Sequence, residues 1–372
     1  MRLTIERASL LKALAHVQSV VERRNTIPIL SNLLLGARED GLRIAATDMD
    51  MEITEVVPAE VARVGSACAP AHTLYEFVRR LPESARVQLE LDAGEPQLLV
   101  RAGPARLQLP VLPPADFPIM PEDGMATRFA IHPSELSKLL SKTRFAISTE
   151  ETRYYLNGIY LHTVAHGDQD VLRAVATDGH RLALAQGPAP EGSRGMPGVI
   201  VPRKAVSELG RLLDDAADTV EIAVSEQKIR FGIGDATLTS KLIEGTFPQY
   251  ERVIPRENPR HMRILNRGFS AAVDRVATVS AERSRSVQMQ LEAGKLTLTV
   301  SNPDAGFATE ELEADYNAAP IKIGFNAKYL TDVAGQIGGD AALFEFADSG
   351  SPTLVRDPTD ENCLYVLMPL RV

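Results

Sequence analysis

Apolar positions along this chain follow two alternating periods, and the alternation repeats. Helical spacing of three and four joins Leu10, Leu14, Val17 and Val21; Leu74, Phe77, Val78 and Leu81; Leu136, Leu139 and Leu140; Val206, Leu209 and Leu213; Phe269, Val273 and Val276; and Leu330, Val333 and Ile337. The predicted helices recur roughly every 60–70 residues. Between them the period drops to two. Val87, Leu89 and Leu91 alternate with Gln88, Glu90 and Asp92, turn through Ala93-Gly94-Glu95 and resume at Leu98 and Val100. Val287, Met289 and Leu291 alternate with Gln288, Gln290 and Glu292, turn at Ala293-Gly294 and resume at Leu296, Leu298 and Val300.

A helix followed by antiparallel strands with one apolar face must bury that face against the helix or another sheet. Two such units make one domain. Phe-Pro punctuation marks the domain period: Pro113-Pro114-Ala115-Asp116-Phe117-Pro118 closes one pair of units and Gly245-Thr246-Phe247-Pro248 the next, since proline clusters cannot extend a central strand. The expectation is an α+β chain of three similar domains, each of two helix-plus-antiparallel-strand units, over residues 1–122, 127–253 and 254–372. Linkers fall near 119–127 and 252–260.

Composition narrows the class. With 44% hydrophobic and 24% charged residues in 372, the chain buries real cores and is not a disordered polyampholyte. A formal charge of −9 excludes a protein that coats nucleic acid over its whole surface but leaves room for a local basic face. Two cysteines, Cys68 and Cys363, are too few for a disulfide framework or a cysteine-rich zinc site, which predicts a reducing compartment. No apolar run approaches the ~18 residues of a membrane span, and Met1-Arg2-Leu3-Thr4-Ile5-Glu6 alternates like a strand, so a cytoplasmic protein without membrane contact is expected.

The helices also carry cations. Lys12, His16, Ser19 and Arg23 share one narrow face of the first helix; Arg79 and Arg80, Lys138 and Lys142, Lys204 and Arg211, Arg275 and Arg283, and Lys328 sit on the others, with Glu76, Glu208, Asp274 and Asp332 interspersed. One such face is ordinarily a solvated face. Six become a lining only if the helices converge on one surface, as a closed ring would arrange; a Debye length of about 8 Å then lets a duplex in the hole feel the lining and not the outer carboxylates. Thr177-Asp178-Gly179-His180-Arg181 invites an enzymatic reading, with Asp178 orienting His180 as a base. Thr47-Asp48-Met49-Asp50 stands at the equivalent place without a histidine, which points to a structural aspartate turn. No nucleophile elbow, P-loop or HExxH accompanies it, so no catalysis, metal or cofactor is expected.

Taken in order, Pro28-Ile29-Leu30-Ser31-Asn32-Leu33, Arg153-Tyr154-Tyr155-Leu156-Asn157-Gly158, Ala176-Thr177-Asp178-Gly179-His180-Arg181-Leu182-Ala183, Val201-Pro202-Arg203-Lys204, Ser240-Lys241-Leu242, Phe247-Pro248 and Val366-Leu367-Met368-Pro369-Leu370-Arg371 resemble the bacterial replicative sliding clamps, the beta subunits of DNA polymerase III. The similarity runs end to end. It implies a chain forming half of a ring, a head-to-tail homodimer around duplex DNA, read without base sequence, that confers processivity with no reaction of its own. Implied partners are the DNA polymerase III alpha subunit, the clamp loader, other polymerases and repair proteins, each held through a short peptide.

The resemblance also assigns residues. The implied peptide pocket comprises Leu156, Thr177, Gly179, His180, Arg181, Leu182, Pro248, Arg252, Val253, Val366, Met368, Pro369, Leu370 and Arg371: aliphatic surface and an adaptable Met, with His180 and Arg181 orienting a polar anchor. Val366 and Leu367 read equally as the two faces of a last strand, only one of which meets a peptide. The loop Asp348-Ser349-Gly350-Ser351-Pro352 borders this pocket in similar clamps and varies among them. DNA contact is implied for Arg24, Arg153, Tyr154, Tyr155, Arg203 and Lys204, with acid beside Arg153 at Glu150 and Glu151, and with His72 where a stronger cation is common. The dimer joint is implied between edge strands carrying Leu107 and Leu109 on one side and Thr278 and Val279 on the other; Leu107 and Leu109 read equally as core positions. Two other classes remain open: a peptide-binding repeat adaptor that never encircles DNA, and a soluble hydrolase at Asp178 and His180.

Overall fold

The computed structural model describes residues 1–92, 94–121, 124–280 and 285–371. Ala93 of the predicted turn and Arg283 among the helix cations lie outside the described residues.

All the predicted helices form: α1 (Arg7–Gln18), α2 (Ala71–Arg79), α3 (Pro133–Ser141), α4 (Arg203–Leu213), α5 (Asn266–Ala277) and α6 (Ala327–Ala334). Their stripes are buried as the period requires, Leu10, Leu14 and Val17 on α1 and Phe269, Val273 and Val276 on α5. Val21, Leu81 and Ile337 lie beyond the helix ends but stay in the core at 3%, 8% and 8% exposure. The repeating unit is a strand running directly into a helix. Strand Arg2–Glu6 enters α1, Gly65–Pro70 enters α2, Val199–Pro202 enters α4, Arg260–Leu265 enters α5 and Ile321–Asn326 enters α6. With no loop there, most of these helices have no side-chain cap; the strand ladder continues one residue further and takes the first amide. Arg7 N donates to the Ala85 carbonyl at 2.9 Å, Asn266 N to Asp340 at 2.8 Å and Ala327 N to Arg285 at 2.7 Å. Asn326 alone among these five entries caps with its side chain, accepting from Lys328 N at 2.9 Å.

The chain divides into two compact units, residues 1–137 with 190–242 and residues 138–189 with 243–372. Unit 1 holds a five-stranded antiparallel sheet in the order Glu60–Arg63, Arg2–Glu6, Arg86–Glu90, Gln97–Ala102, Ala105–Pro110. Its second sheet runs Thr127–Ile131, Val220–Val224, Lys228–Ile233, Ala236–Lys241, Met51–Val57, Gly41–Thr47, Asn32–Arg38, Gly65–Pro70. In unit 2 the strands Gly158–His166, Gln169–Thr177, Arg181–Pro188, Asp360–Leu367, Thr353–Asp357, Ala341–Phe346, Arg260–Leu265 and Asp315–Tyr316 pair in that order, beside a four-stranded sheet of Gly306–Glu313, Lys295–Asn302, Ser286–Glu292 and Ile321–Asn326. Both predicted hairpins are present, and Gly294 turns the second at φ 75°.

The edges correct one expectation. Ala105–Pro110 is an edge strand, with Leu109 buried at 3% as a core position and Leu107 half-buried. Thr278 and Val279 are not on a strand. Thr278 caps α5, its Oγ1 donating to the Arg275 carbonyl at 2.7 Å, and the outer strand of that sheet is Gly306–Glu313, where Phe307 is 65% exposed.

Candidate functional site

The turn around Asp178 is built twice. Asp178 Oδ1 accepts from the amides of His180 at 2.9 Å and Arg181 at 3.0 Å, while Thr177 Oγ1 donates to the Arg181 carbonyl at 2.7 Å and accepts from Gly179 N at 3.1 Å. Asp48 Oδ1 accepts from Asp50 N at 3.0 Å and Met51 N at 2.7 Å, while Thr47 Oγ1 donates to the Met51 carbonyl at 2.9 Å and accepts from Met49 N at 3.0 Å. The third residue is left-handed in both, φ 86° at Gly179 and 78° at Met49. Asp178 Oδ2 goes to Arg181 Nε at 3.1 Å, and the His180 ring lies against Tyr329 with centroids 6.4 Å apart. The hydrolase reading thus lacks the base-orienting hydrogen bond it requires. Both cysteines are buried, and burial pushes the Cys68 and Cys363 thiols up to about 11 and about 12, far from thiolate chemistry at neutral pH. Among the described residues no group of His, Cys, Asp and Glu is placed to hold a metal ion, and no helix is long and apolar enough to cross a membrane.

Beside this turn, within unit 2, opens a cavity of about 250 Å³ lined by Leu156, Thr177, Gly179, Arg181, Leu182, Pro248, Val253, Val366 and Met368, together with Arg153, Tyr155, Gln249 and Tyr250. Strand register explains the assembly. Leu182 pairs with Val366 and Arg181 with Leu367, and Met368 N donates to the His180 carbonyl at 2.9 Å. Side chains alternate, so Val366 faces the cavity and Leu367, 1% exposed, faces the core. Leu156, Leu182 and Val366 form a buried floor at 3%, 3% and 2%; Val253 and Met368 are an apolar rim at 47% and 37%.

Five expected pocket residues, His180, Arg252, Pro369, Leu370 and Arg371, do not line this cavity. Leu370 is drawn away by its amide, which donates to the Gly324 carbonyl at 2.8 Å. Arg181 borders the cavity, but its guanidinium is fully engaged: Nη1 donates to Asp332 at 2.5 Å and Nη2 to the Phe145 carbonyl at 2.7 Å, and the group lies 4.4 Å from the Tyr329 ring centroid. It braces the wall and does not offer a free anchor.

Gln249 and Tyr250 escaped the sequence reading, although Tyr250 follows the Phe-Pro signal by two residues. Tyr250 hydroxyl accepts from Arg173 Nη1 at 2.9 Å and lies 3.0 Å from His162 Nε2, while Arg173 also donates to Gln186 Oε1 from Nε and Nη2 at 3.1 and 2.8 Å. Burial beside Arg173 lowers the His162 imidazole to about 4, so it is neutral at physiological pH.

The residues expected on DNA divide. Arg24 and Arg203 are exposed and their side chains make no hydrogen bond or ion pair among the described residues. Lys204 is tied to Asp48 at 2.5 Å and to the Val20 carbonyl at 3.1 Å. Arg153 pairs with Glu150 at 2.7 Å and lines the cavity with Tyr155, whereas Tyr154 is 54% exposed. His72 bonds Gln18 Oε1 and the Val21 carbonyl, each at 3.0 Å. Most helix-face cations have found acids: Lys12 and His16 share Asp215, at 3.3 and 3.1 Å, and His16 also meets Glu55 at 2.7 Å. Arg79 and Arg80 pair with Glu76, Lys138 with Asp360, Arg211 with Glu208, Arg275 with Glu310 and Lys328 with Asp332. The His16–Glu55 pair is largely buried, whereas the more exposed of these pairs are worth about 0–1 kcal/mol each.

Family comparison covers almost the whole chain. Residues 1–121, 130–249 and 251–371 match the N-terminal, central and C-terminal domains of the DNA polymerase III beta subunit. The chain belongs to the DNA polymerase III beta subunit family. It is 60% identical over 372 residues to the beta sliding clamp of Caulobacter vibrioides, covering 100% of both chains. A crystal structure of the DNA polymerase sliding clamp from Caulobacter crescentus superimposes with a TM-score of 0.95 at 60% identity, covering 100% of each chain. A sliding clamp from Bartonella birtlesii bound to griselimycin superimposes with a TM-score of 0.97 at 48% identity, again over 100% of each chain. The beta subunit family thus accounts for the repeated α+β architecture and its mixture of helices and antiparallel sheets.

Proposed function

We propose that two copies of this chain close head to tail into a ring around duplex DNA and tether the replicative polymerase through the cavity beside Leu156, Leu182, Val253 and Met368. The single observation that carries the tethering is that cavity: a buried aliphatic floor, a mobile-chained Met on the rim and backbone edges from two strand ends suit the side chains of a short extended peptide. The alpha subunit, the clamp loader and other polymerases and repair proteins would compete for it. Domain limits of 1–122, 127–253 and 254–372 belong to this reading, as does residence in the bacterial cytoplasm.

The joint of the ring would use the edge strand bearing Leu107 and Leu109 and, near Thr278 and Val279, the edge strand Gly306–Glu313 with exposed Phe307. Contact with DNA would rest first on Arg24 and Arg203, whose charges are free. Arg153, Tyr154, Tyr155 and Lys204 would contribute less, Lys204 because Asp48 neutralises it. The helix first turns favour phosphate modestly: α1, α2, α4, α5 and α6 carry no acid there. Retention by topology needs no tight contact, and such loose, salt-sensitive binding permits sliding. Sedimentation equilibrium at micromolar concentration tests the first requirement. Twice the chain mass is expected; the mass of one chain would contradict the ring.

A further inference from the structure

The repetition of the turn at Asp48 and Asp178 allows the two sheets that carry it to be compared position by position, and one difference stands out. In unit 2, Arg173 lies four residues before Thr177 and pairs with His162 and Gln186 on the neighbouring strands. In unit 1, Arg43 lies four residues before Thr47 and pairs with Gly36 and Val56. The Phe-Pro segments correspond in the same way, placing Met120 three residues after Phe117 where unit 2 has Tyr250 three residues after Phe247.

These exchanges remove what filled the sheet face. Around Arg173, the rings of Tyr160, His162, Phe247 and Tyr250 pack together at centroid distances of 4.3 to 6.4 Å, and Tyr250 and Gln186 take the guanidinium's hydrogen bonds. Around Arg43 the ring at the His162 position is absent altogether. The side chains of Val56 and Met120 offer no oxygen, and the Arg43 guanidinium makes no hydrogen bond or ion pair among the described residues. The space that remains is a groove of about 440 Å³, within the range of small-ligand sites, with Arg38 and Arg43 beside the apolar surfaces of Leu34, Phe117 and Ile119. Arg38 likewise has no described partner, and Ile119 is 68% exposed. Glu52, 7% exposed, closes the inner wall and accepts the Met120 amide at 3.2 Å.

We propose that this groove of unit 1 binds a peptide segment in which a carboxylate stands next to apolar side chains, a second docking site distinct from the cavity in unit 2. Charge complementarity selects that occupant. Two unengaged guanidiniums on one rim favour a carboxylate, which arginine grips in a bidentate fork. The site does not depend on the reading of the unit 2 cavity.

The test uses the full chain with methyl-labelled Leu, Ile, Val, Met and Ala, titrated with acetyl-Asp-Leu-Ile-Asp-amide and followed by NMR. Shifts are expected at the methyls of Leu34, Ala45 and Ile119. Arg43→Met, or replacing both aspartates of the peptide with asparagine, should weaken binding at least tenfold. Gly36→His should block the groove without unfolding the sheet, because a Cβ there meets only the Arg43 carbonyl, at 3.9 Å. An unchanged melting temperature for Gly36→His and Arg43→Met keeps the result interpretable as lost binding. Shifts confined to Leu156, Val253 and Met368, equal affinity for the asparagine peptide, or undiminished binding by Arg43→Met and Gly36→His would each overturn the proposal.

Discussion

Replacing Asp178 separates its structural work from any chemical role, and the expected size follows from its three contacts. Asp178→Ala deletes two backbone hydrogen bonds, at 2.9 and 3.0 Å, and a charged one to Arg181 at 3.1 Å. At roughly 1 kcal/mol for each backbone bond and about 1.5–3 for the charged one, the loss is about 3–5 kcal/mol. Asp178→Asn retains an oxygen for the two amides and loses only charge; Arg181 keeps Asp332 and the Phe145 carbonyl, so the loss is about 1–2 kcal/mol. For a unit on the order of 180 residues, 1 kcal/mol moves the melting temperature by about 2–4 °C. Differential scanning calorimetry should therefore show a fall on the order of 10 °C for Asp178→Ala and about 4 °C for Asp178→Asn. The Asp48→Ala twin should resemble Asp178→Ala, since it loses the same two amide bonds and the Lys204 pair. Equal damage from the alanine and asparagine variants would refute the turn as the source of stability, and no damage from either would refute both contacts.

Four further outcomes are expected. The His16 imidazole is held above its ordinary 6.5, chiefly by the hydrogen bond it donates to Glu55, so its contribution is complete below that value and fades as pH rises through the folded one; the melting difference between the native chain and His16→Asn should shrink between pH 5.5 and pH 9, and a constant difference would contradict this. Asp215, lowered from 3.8 chiefly by the hydrogen bond to His16, contributes above 3.8, and that contribution should be lost on acidification through its folded value, visible as a smaller effect of Asp215→Asn near pH 3. Val253→Ala with Met368→Ala should leave melting almost unchanged, since both rim residues are exposed, yet weaken a fluorescent polymerase-tail peptide about tenfold by anisotropy. Arg24→Ala with Arg203→Ala should reduce the slope of log affinity for DNA against log salt by about 1.8, as expected for two lost phosphate contacts.

Local periodicity carried most of the fold. The stripes at Leu10, Leu14 and Val17 or Phe269, Val273 and Val276 follow from a period that only a buried helix face satisfies, and Ala293-Gly294 from a turn that only a left-handed residue closes easily. The twin aspartate turns were legible because both hydrogen-bond partners lie within three residues. What was not legible depends on residues distant in sequence. Lys12 and His16 meet Asp215, Lys138 meets Asp360 and Arg275 meets Glu310, so a face that reads as cationic is largely neutralised. Arg181 reads as an available anchor until Asp332 and Tyr329 are seen around it. Tyr250 reads as an ordinary aromatic until Arg173 and His162 are found at its hydroxyl. Thr278 and Val279 rested on the resemblance alone, with no strand period of their own to place them, and they lie just past the end of α5.

Encirclement is tested most directly by retention on DNA of different topology. Clamp loaded onto a nicked circular plasmid, isolated by gel filtration and then cut once with a restriction enzyme, should elute with the circle and run off the linear form within minutes. Protein that stays bound after linearisation, or that never co-elutes with the circle despite a competent loader, would contradict the ring.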